Sequence, residues 1–150
     1  MSCACLGRQV EADEPVPADL VLLTTSEESG ECYLDTAGLD GETNLKRKET
    51  QPDIFEIIEK FKKTMHMGLA PALEQVSKTG LVTIDFEFPN TNLEAFKGSV
   101  MRKNSSLKDG QFTGVIPLKH KNVLLRGCTL RNTKHVVGMI VYVVVQSDTI

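Results

Sequence analysis

The stretch Ala18-Asp19-Leu20-Val21-Leu22-Leu23-Thr24 is a short, nearly unbroken apolar run that follows Pro15 and Pro17. A run of this length and composition, bounded by prolines, is expected of a β-strand covered on both faces. A second stretch, residues 81–88, has a different character. Val82, Ile84, Phe86 and Phe88 fall on one side, and Thr83, Asp85 and Glu87 on the other. Strict alternation of this kind marks a half-buried strand. Further strands are expected over 31–36, 45–49, 96–101, 113–118, 123–125 and 136–145. The chain is therefore expected to be mainly β, with about seven or eight short strands.

One segment breaks the pattern. From 52 to about 76 the apolar residues Ile54, Ile58, Phe61 and Met65 recur at helical spacing, with Glu56, Glu59, Lys60, Lys62 and Lys63 elsewhere on the turn. Gly68 and Pro71 punctuate it, so two short helices are expected, packed on the sheet with a solvated charged face.

The 150 residues suit one domain, and 41% hydrophobic with 25% charged residues is ordinary globular composition. The net charge of −3 and the absence of an aromatic ribbon with basic interleaving argue against nucleic acid as a partner. Cys3, Cys5, Cys32 and Cys128 form no Cys-x-x-Cys pair, and His66, His120 and His135 are scattered. Reduced thiols and no metal site are expected. Residues 1–13 have no apolar core of a signal peptide. The longest apolar run, 136–145, is half the length that a membrane-spanning helix needs, so a soluble chain is expected. Asn104-Ser105-Ser106 fits the glycosylation pattern, and is read as a polar loop.

Several fragments imitate enzyme signatures. Ser105-Ser106-Leu107-Lys108 matches Ser-x-x-Lys and Lys78-Thr79-Gly80 matches Lys-Thr-Gly, but their order is reversed and the Ser-Asp-Asn element is missing. No glycine-rich phosphate loop occurs. The more informative feature is residues 38–46, GLDGETNLK. Asp40-Gly41 is a turn signal with positive φ, read as a tight connection between two strands. Glu42 follows directly as a bare carboxylate. Glycine lets the backbone approach a phosphate closely, while the neighbouring carboxylate can orient or deprotonate a water.

The flanks carry a resemblance. Glu31-Cys32-Tyr33-Leu34-Asp35-Thr36-Ala37-Gly38-Leu39-Asp40-Gly41-Glu42-Thr43-Asn44-Leu45-Lys46 resembles the actuator-domain signature of type IV P-type ATPases, the phospholipid flippases. Val16-Pro17-Ala18-Asp19 resembles the Pro-Ala-Asp strand that precedes it in P-type pumps. Leu124-Leu125-Arg126-Gly127-Cys128-Thr129-Leu130-Arg131-Asn132-Thr133, with Gly138 and Val141-Tyr142, resembles the closing strands. Pro89-Asn90, Asn92-Leu93 and Phe96-Lys97-Gly98 are similar to the segment between them. Gly38 departs from the polar residue usual in flippases, and Asp148-Thr149 lacks the glycine of the family's Gly-x-Asp-Thr. On this reading 13–150 is the actuator domain, with a helical insertion at about 52–78, and 1–12 is a poorly matched N-terminal extension.

The resemblance implies a distorted jelly-roll, or double-stranded β-helix, fold. It implies that Glu42 positions the water that hydrolyses an aspartyl phosphate in a separate phosphorylation domain. Gly41 would permit close approach, and Asp40 and Thr43 would shape the loop. Hydrolysis would drive phospholipid from the exoplasmic to the cytosolic leaflet, with this domain on the cytosolic face of a membrane. ATP and Mg²⁺ would belong to the parent protein, with no cofactor or metal in this chain. The implied partners are the phosphorylation and nucleotide-binding domains, the membrane helices, the phospholipid and an accessory subunit. Ser77-Lys78-Thr79-Gly80 has serine where the phosphoacceptor aspartate of Asp-Lys-Thr-Gly would stand, so the chain alone is expected to be inactive. An alternative reading is a β-rich module binding protein or lipid headgroups through Lys46-Arg47-Lys48 and Arg126, Arg131 and Lys134. An independent hydrolase would need a second catalytic group near Glu42, and none is evident.

Overall fold

A computed structural model describes residues 7–64, 66, 68, 71–72, 74, 82–86, 98–103 and 112–142. Ten strands among them form three antiparallel sheets. The first sheet has the order β1 (Gly7–Glu11), β10 (His135–Tyr142), β2 (Asp19–Thr25), β8 (Val123–Leu124). The second is β4 (Lys46–Glu49), β3 (Glu31–Asp35), β9 (Thr129–Arg131), and the third is β5 (Val82–Phe86), β6 (Gly98–Lys103), β7 (Phe112–Leu118). A one-turn helix α1 (Ala37–Asp40) joins β3 to β4, and α2 (Pro52–Thr64) follows β4. The chain is mainly β with a helical insertion, as its sequence leads one to expect.

Strand β2 organises the interior. Leu20 and Leu22 point to one side, where they meet Cys32 and Leu34 of β3, Leu124, Leu130 and Val136. Val21 and Leu23 point to the other, against Ile54, Ile57 and Ile58 of α2, Ile84, Val100 and Leu118 of the third sheet, and Met139 and Val141. Every residue from Leu20 to Thr25 is buried. The continuous apolar run is thus explained by two cores sharing one strand, each fully buried Leu or Val adding about 1.5–3 kcal/mol. At Gly138 the β10–β2 register shifts, and a Cβ there would lie 2.7 Å from Leu20 Cβ. The close approach of the two strands needs a residue without a side chain.

The helix starts as expected at Pro52, whose fixed φ suits the first turn. The buried Gln51 side chain accepts hydrogen bonds from Asp53 N (2.7 Å) and Ile54 N (3.1 Å), serving the free amides of that turn. The side chains of Phe61 and Met65, and most of the expected second helix, lie outside the described residues, as do 87–97, 104–111 and 143–150.

Three elements differ from expectation. Gly7–Glu11, placed by sequence in the poorly matched extension, is strand β1, with only Val10 buried; it is held by pairing with β10, Gly7 opposite Met139 through Glu11 opposite His135. Thr129–Arg131 forms β9, a three-residue strand opposite β3. The β3–β4 connection is not a tight Asp-Gly turn, because α1 is interposed.

Candidate functional site

Residues 36–46 are built by short-range hydrogen bonds. Asp35 Oδ1 accepts from Ala37 N at 3.0 Å and opens α1. The buried Thr36 hydroxyl donates to the Asp40 carboxylate, 3.0 Å from each oxygen, and Asp40 Oδ1 also accepts from Glu42 N at 2.9 Å. Asp40 therefore ties the helix start to the amide of Glu42. Gly41 ends the helix in the left-handed region at φ +72°, its N–H bonded to Ala37 O. Glycine is favoured there by conformation, since nothing lies within 4 Å of where a Cβ would stand. The space over Gly41 is open to an incoming group.

Glu42 follows Gly41 on the exposed loop. Its side chain is 54% exposed, and its nearest cation is Lys46, with which it forms an ion pair. Thr43 is exposed beside it and makes no side-chain hydrogen bond among the described residues. Gly38 lies within α1, where a Cβ would meet Gly127 O at 3.8 Å, an ordinary contact. Space does not require glycine at that position.

Beside the loop lies a cavity of about 400 Å³, reached by Asp40, Glu42 and Lys46 on one hand and by Lys48, His120 and Lys121 on the other. The 3-10 turn His120–Asn122 brings the last two residues there. Asn122 holds that turn against β4, donating to Glu49 O at 2.8 Å and accepting from Lys119 N at 2.9 Å. Lys121 pairs with Glu49, and this hydrogen bond holds the Glu49 carboxyl below its ordinary pKa. Arg47 reaches Glu31 at 3.3 Å and Glu49 at 3.7 Å.

Sequence reasoning missed the burial of Lys48. In a Lys-Arg-Lys-Glu strand all four side chains read as solvated charge, yet Lys48 is 5% exposed. Its ammonium donates to His120 O at 3.1 Å and lies 3.5 Å from His120 Nδ1. Burial lowers its pKa, opposed by the nearby Cys128 and Cys32 thiols. Alternation along β4 was the available signal, since Lys46 and Lys48 must share a face with the buried Cys32 and Leu34 opposite them. Of the other basic residues singled out, Arg131 is tied to Asp13 (2.8 Å) and Asp35 (3.7 Å), while Arg126 and Lys134 use their backbone amides on Asp19 and Ser26. They do not join the cavity. Among the described residues no three His, Cys, Asp or Glu side chains are grouped to hold a metal ion, and no helix is long and apolar enough to cross a membrane.

Over 134 residues, 89% of its length, the chain is 37% identical to human phospholipid-transporting ATPase VA. It is homologous to a segment of the phospholipid-transporting ATPases. Over the same length it is 35% identical to the DNF1 and DRS2 phospholipid-transporting ATPases of Saccharomyces cerevisiae. The chain spans only 8% of the human protein and 7% of DNF1. No family model matches it.

Proposed function

We propose that the chain is the actuator domain of a P-type phospholipid-transporting ATPase. In this role Asp40-Gly41-Glu42-Thr43 is the loop that enters the phosphorylation domain, where Glu42 positions and polarises the water attacking an aspartyl phosphate. The observation that carries the reading is the presentation of Glu42, exposed directly after a positive-φ glycine with open space above it. The Thr36–Asp40–Glu42 hydrogen bonds favour it too, because a water-positioning carboxylate must be held at a defined height above the scaffold. Lys46 keeps a cation beside Glu42.

ATP and Mg²⁺ belong to the nucleotide-binding and phosphorylation domains of the parent chain, and the lipid path to its membrane helices. The pairing of β1 with β10, and of β10 with β2, suits a domain that turns as a body on the cytosolic face and pulls on those helices. Hydrolysis then returns the parent to the state that releases phospholipid into the cytosolic leaflet. By itself this chain supplies half of a hydrolytic site.

The test uses the parent ATPase carrying Glu42→Gln, labelled with radioactive ATP. Phosphoenzyme should accumulate and its decay should become insensitive to added phospholipid. Decay at the unaltered rate overturns the assignment of Glu42.

A further inference from the structure

Glu42 is held at both ends. Its amide donates to Asp40 Oδ1 at 2.9 Å, which ties the backbone to α1, and its carboxylate is ion-paired with Lys46, the first residue of β4. Lys46 stands opposite Leu34 in the β3–β4 ladder, so the cation reaches the loop from the sheet. A glutamate on an exposed loop otherwise samples several rotamers, and a fixed contact at the carboxylate narrows them.

The other cations around the loop are engaged away from it. Arg47 reaches Glu31 and Glu49, Lys121 pairs with Glu49, and Lys48 donates to His120 O. Among the described residues Lys46 is therefore the counter-charge of the loop. Residues 38–46 carry Asp40 and Glu42 against Lys46, and removing its ammonium would leave two carboxylates unopposed.

We infer that Lys46 is a positioning residue for the hydrolysis proposed above, an inference that rests on the reading of Glu42 as the water-positioning carboxylate. In that step the water oxygen bonds to phosphorus, the phosphorus–oxygen bond to the aspartate breaks, and the proton of the water passes to Glu42. The phosphoryl oxygens carry negative charge, so a loop that brings further carboxylates against them is repelled. Lys46 offsets that repulsion and holds the Glu42 carboxylate beside the cavity that both side chains line. In the free domain the pair is half-exposed, and such pairs add little to stability. Once the phosphorylation domain covers the loop, water is excluded and the same charge acts through a lower dielectric. Lys46 is thus dispensable for folding and matters in the docked state.

The test measures formation and decay of phosphoenzyme in the parent ATPase carrying Lys46→Arg, Lys46→Met, Lys46→Glu or Glu42→Gln. A direct donor to transition-state charge is worth roughly 10²–10³ in rate, and a cation acting through a second residue should be worth less, roughly tenfold. Lys46→Met should slow decay roughly tenfold, and Lys46→Arg should stay within about twofold of wild type. Lys46→Glu should be slower than Lys46→Met, with formation from ATP unchanged in all three. Methionine keeps the apolar stem, so a merely structural role would not follow the order of charge. Decay of Lys46→Met at the wild-type rate, or rates that ignore charge, would overturn the inference, while accumulation in Glu42→Gln leaves the reading of Glu42 standing. Unaltered decay in Glu42→Gln overturns both.

Discussion

Cys32 on β3 and Lys48 on β4 stand directly opposite one another across an antiparallel pair, both buried, so that an amine shares the interior with thiols instead of a carboxylate. This arrangement costs stability whenever the amine is protonated. Replacing a buried, uncompensated charge by an apolar side chain of similar length is stabilising in comparable settings. Near neutral pH, Lys48→Met should therefore raise the unfolding free energy by roughly 1–3 kcal/mol, read from urea melts. Burial lowers the pKa of Lys48 from 10.5 in the folded state. Between the folded and unfolded values the unfolded chain binds more protons, so wild-type stability rises with pH through that window. The variant's advantage should be largest below the window and shrink toward 10.5. An advantage that stays constant across the alkaline range would refute the uncompensated amine.

The two thiols themselves are pushed the other way. Burial raises Cys32 to about 12, with Lys48 opposing, and raises Cys128 to about 11, with Lys48 again opposing. Raised folded-state values mean that this contribution to stability is complete below the ordinary value of 9.0 and is lost as pH climbs through about 11 to 12. The thiolate is the nucleophile, so both sites should resist alkylation in the native state. In a Cys3→Ser/Cys5→Ser background, iodoacetamide near pH 8 should modify the native chain at least roughly a hundredfold more slowly than the urea-unfolded chain. Equal rates in the two states would show that the thiols are not sealed in the core.

The elements legible in the sequence are those whose own side chains record their surroundings. β2 reads as a doubly covered strand because Leu20, Val21, Leu22 and Leu23 feed two cores, and α2 announces itself through Ile54 and Ile58. β1 does not, because one buried valine in Gly7–Glu11 is too little pattern, and its place depends on partners about 125 positions away in β10. The loop was half legible. Asp-Gly correctly foretold positive φ at Gly41, yet the hairpin gave way to α1, since Thr36 and Asp40 satisfy each other across one helical turn. Lys48 was legible only in part: alternation along β4 puts it on the face of Cys32, but the partner of its ammonium is His120, brought from the far end of the chain by Asn122.

Two glycines should respond to alanine for different reasons. At Gly41 the cost is conformational, since φ is +72° and the Cβ site is empty; Gly41→Ala should cost about 1 kcal/mol and Gly41→Asn less. At Gly138 the cost is steric, with Leu20 Cβ at 2.7 Å and Val21 O at 3.1 Å from the added carbon. Gly138→Ala should cost about 1–3 kcal/mol, and asparagine should be worse than alanine there. Chemical denaturation of the four variants separates the cases. The same rank order of alanine and asparagine at both positions would contradict this division.

The Thr36–Asp40 bridge sets the height of Glu42. Its hydroxyl and carboxylate are part-buried and bond at 3.0 Å, while Asp40 also takes the Glu42 amide at 2.9 Å. Thr36→Val leaves Asp40 with the Glu42 amide alone, whereas Asp40→Ala strands both the Thr36 hydroxyl and that amide. The carboxylate change should therefore be the more damaging, by about 1 kcal/mol, and the two should be non-additive by roughly 0.5–1.5 kcal/mol in a double-mutant cycle. Amide hydrogen exchange gives the local readout, because the exposed loop offers Glu42 N–H no shelter apart from Asp40. Exchange at Glu42 should quicken in Asp40→Ala while that of the β2 amides is unchanged. If the Glu42 amide exchanged at the same rate in wild type and Asp40→Ala, Asp40 would be a helix-ending residue only, and the loop's geometry would have to come from Gly41 alone.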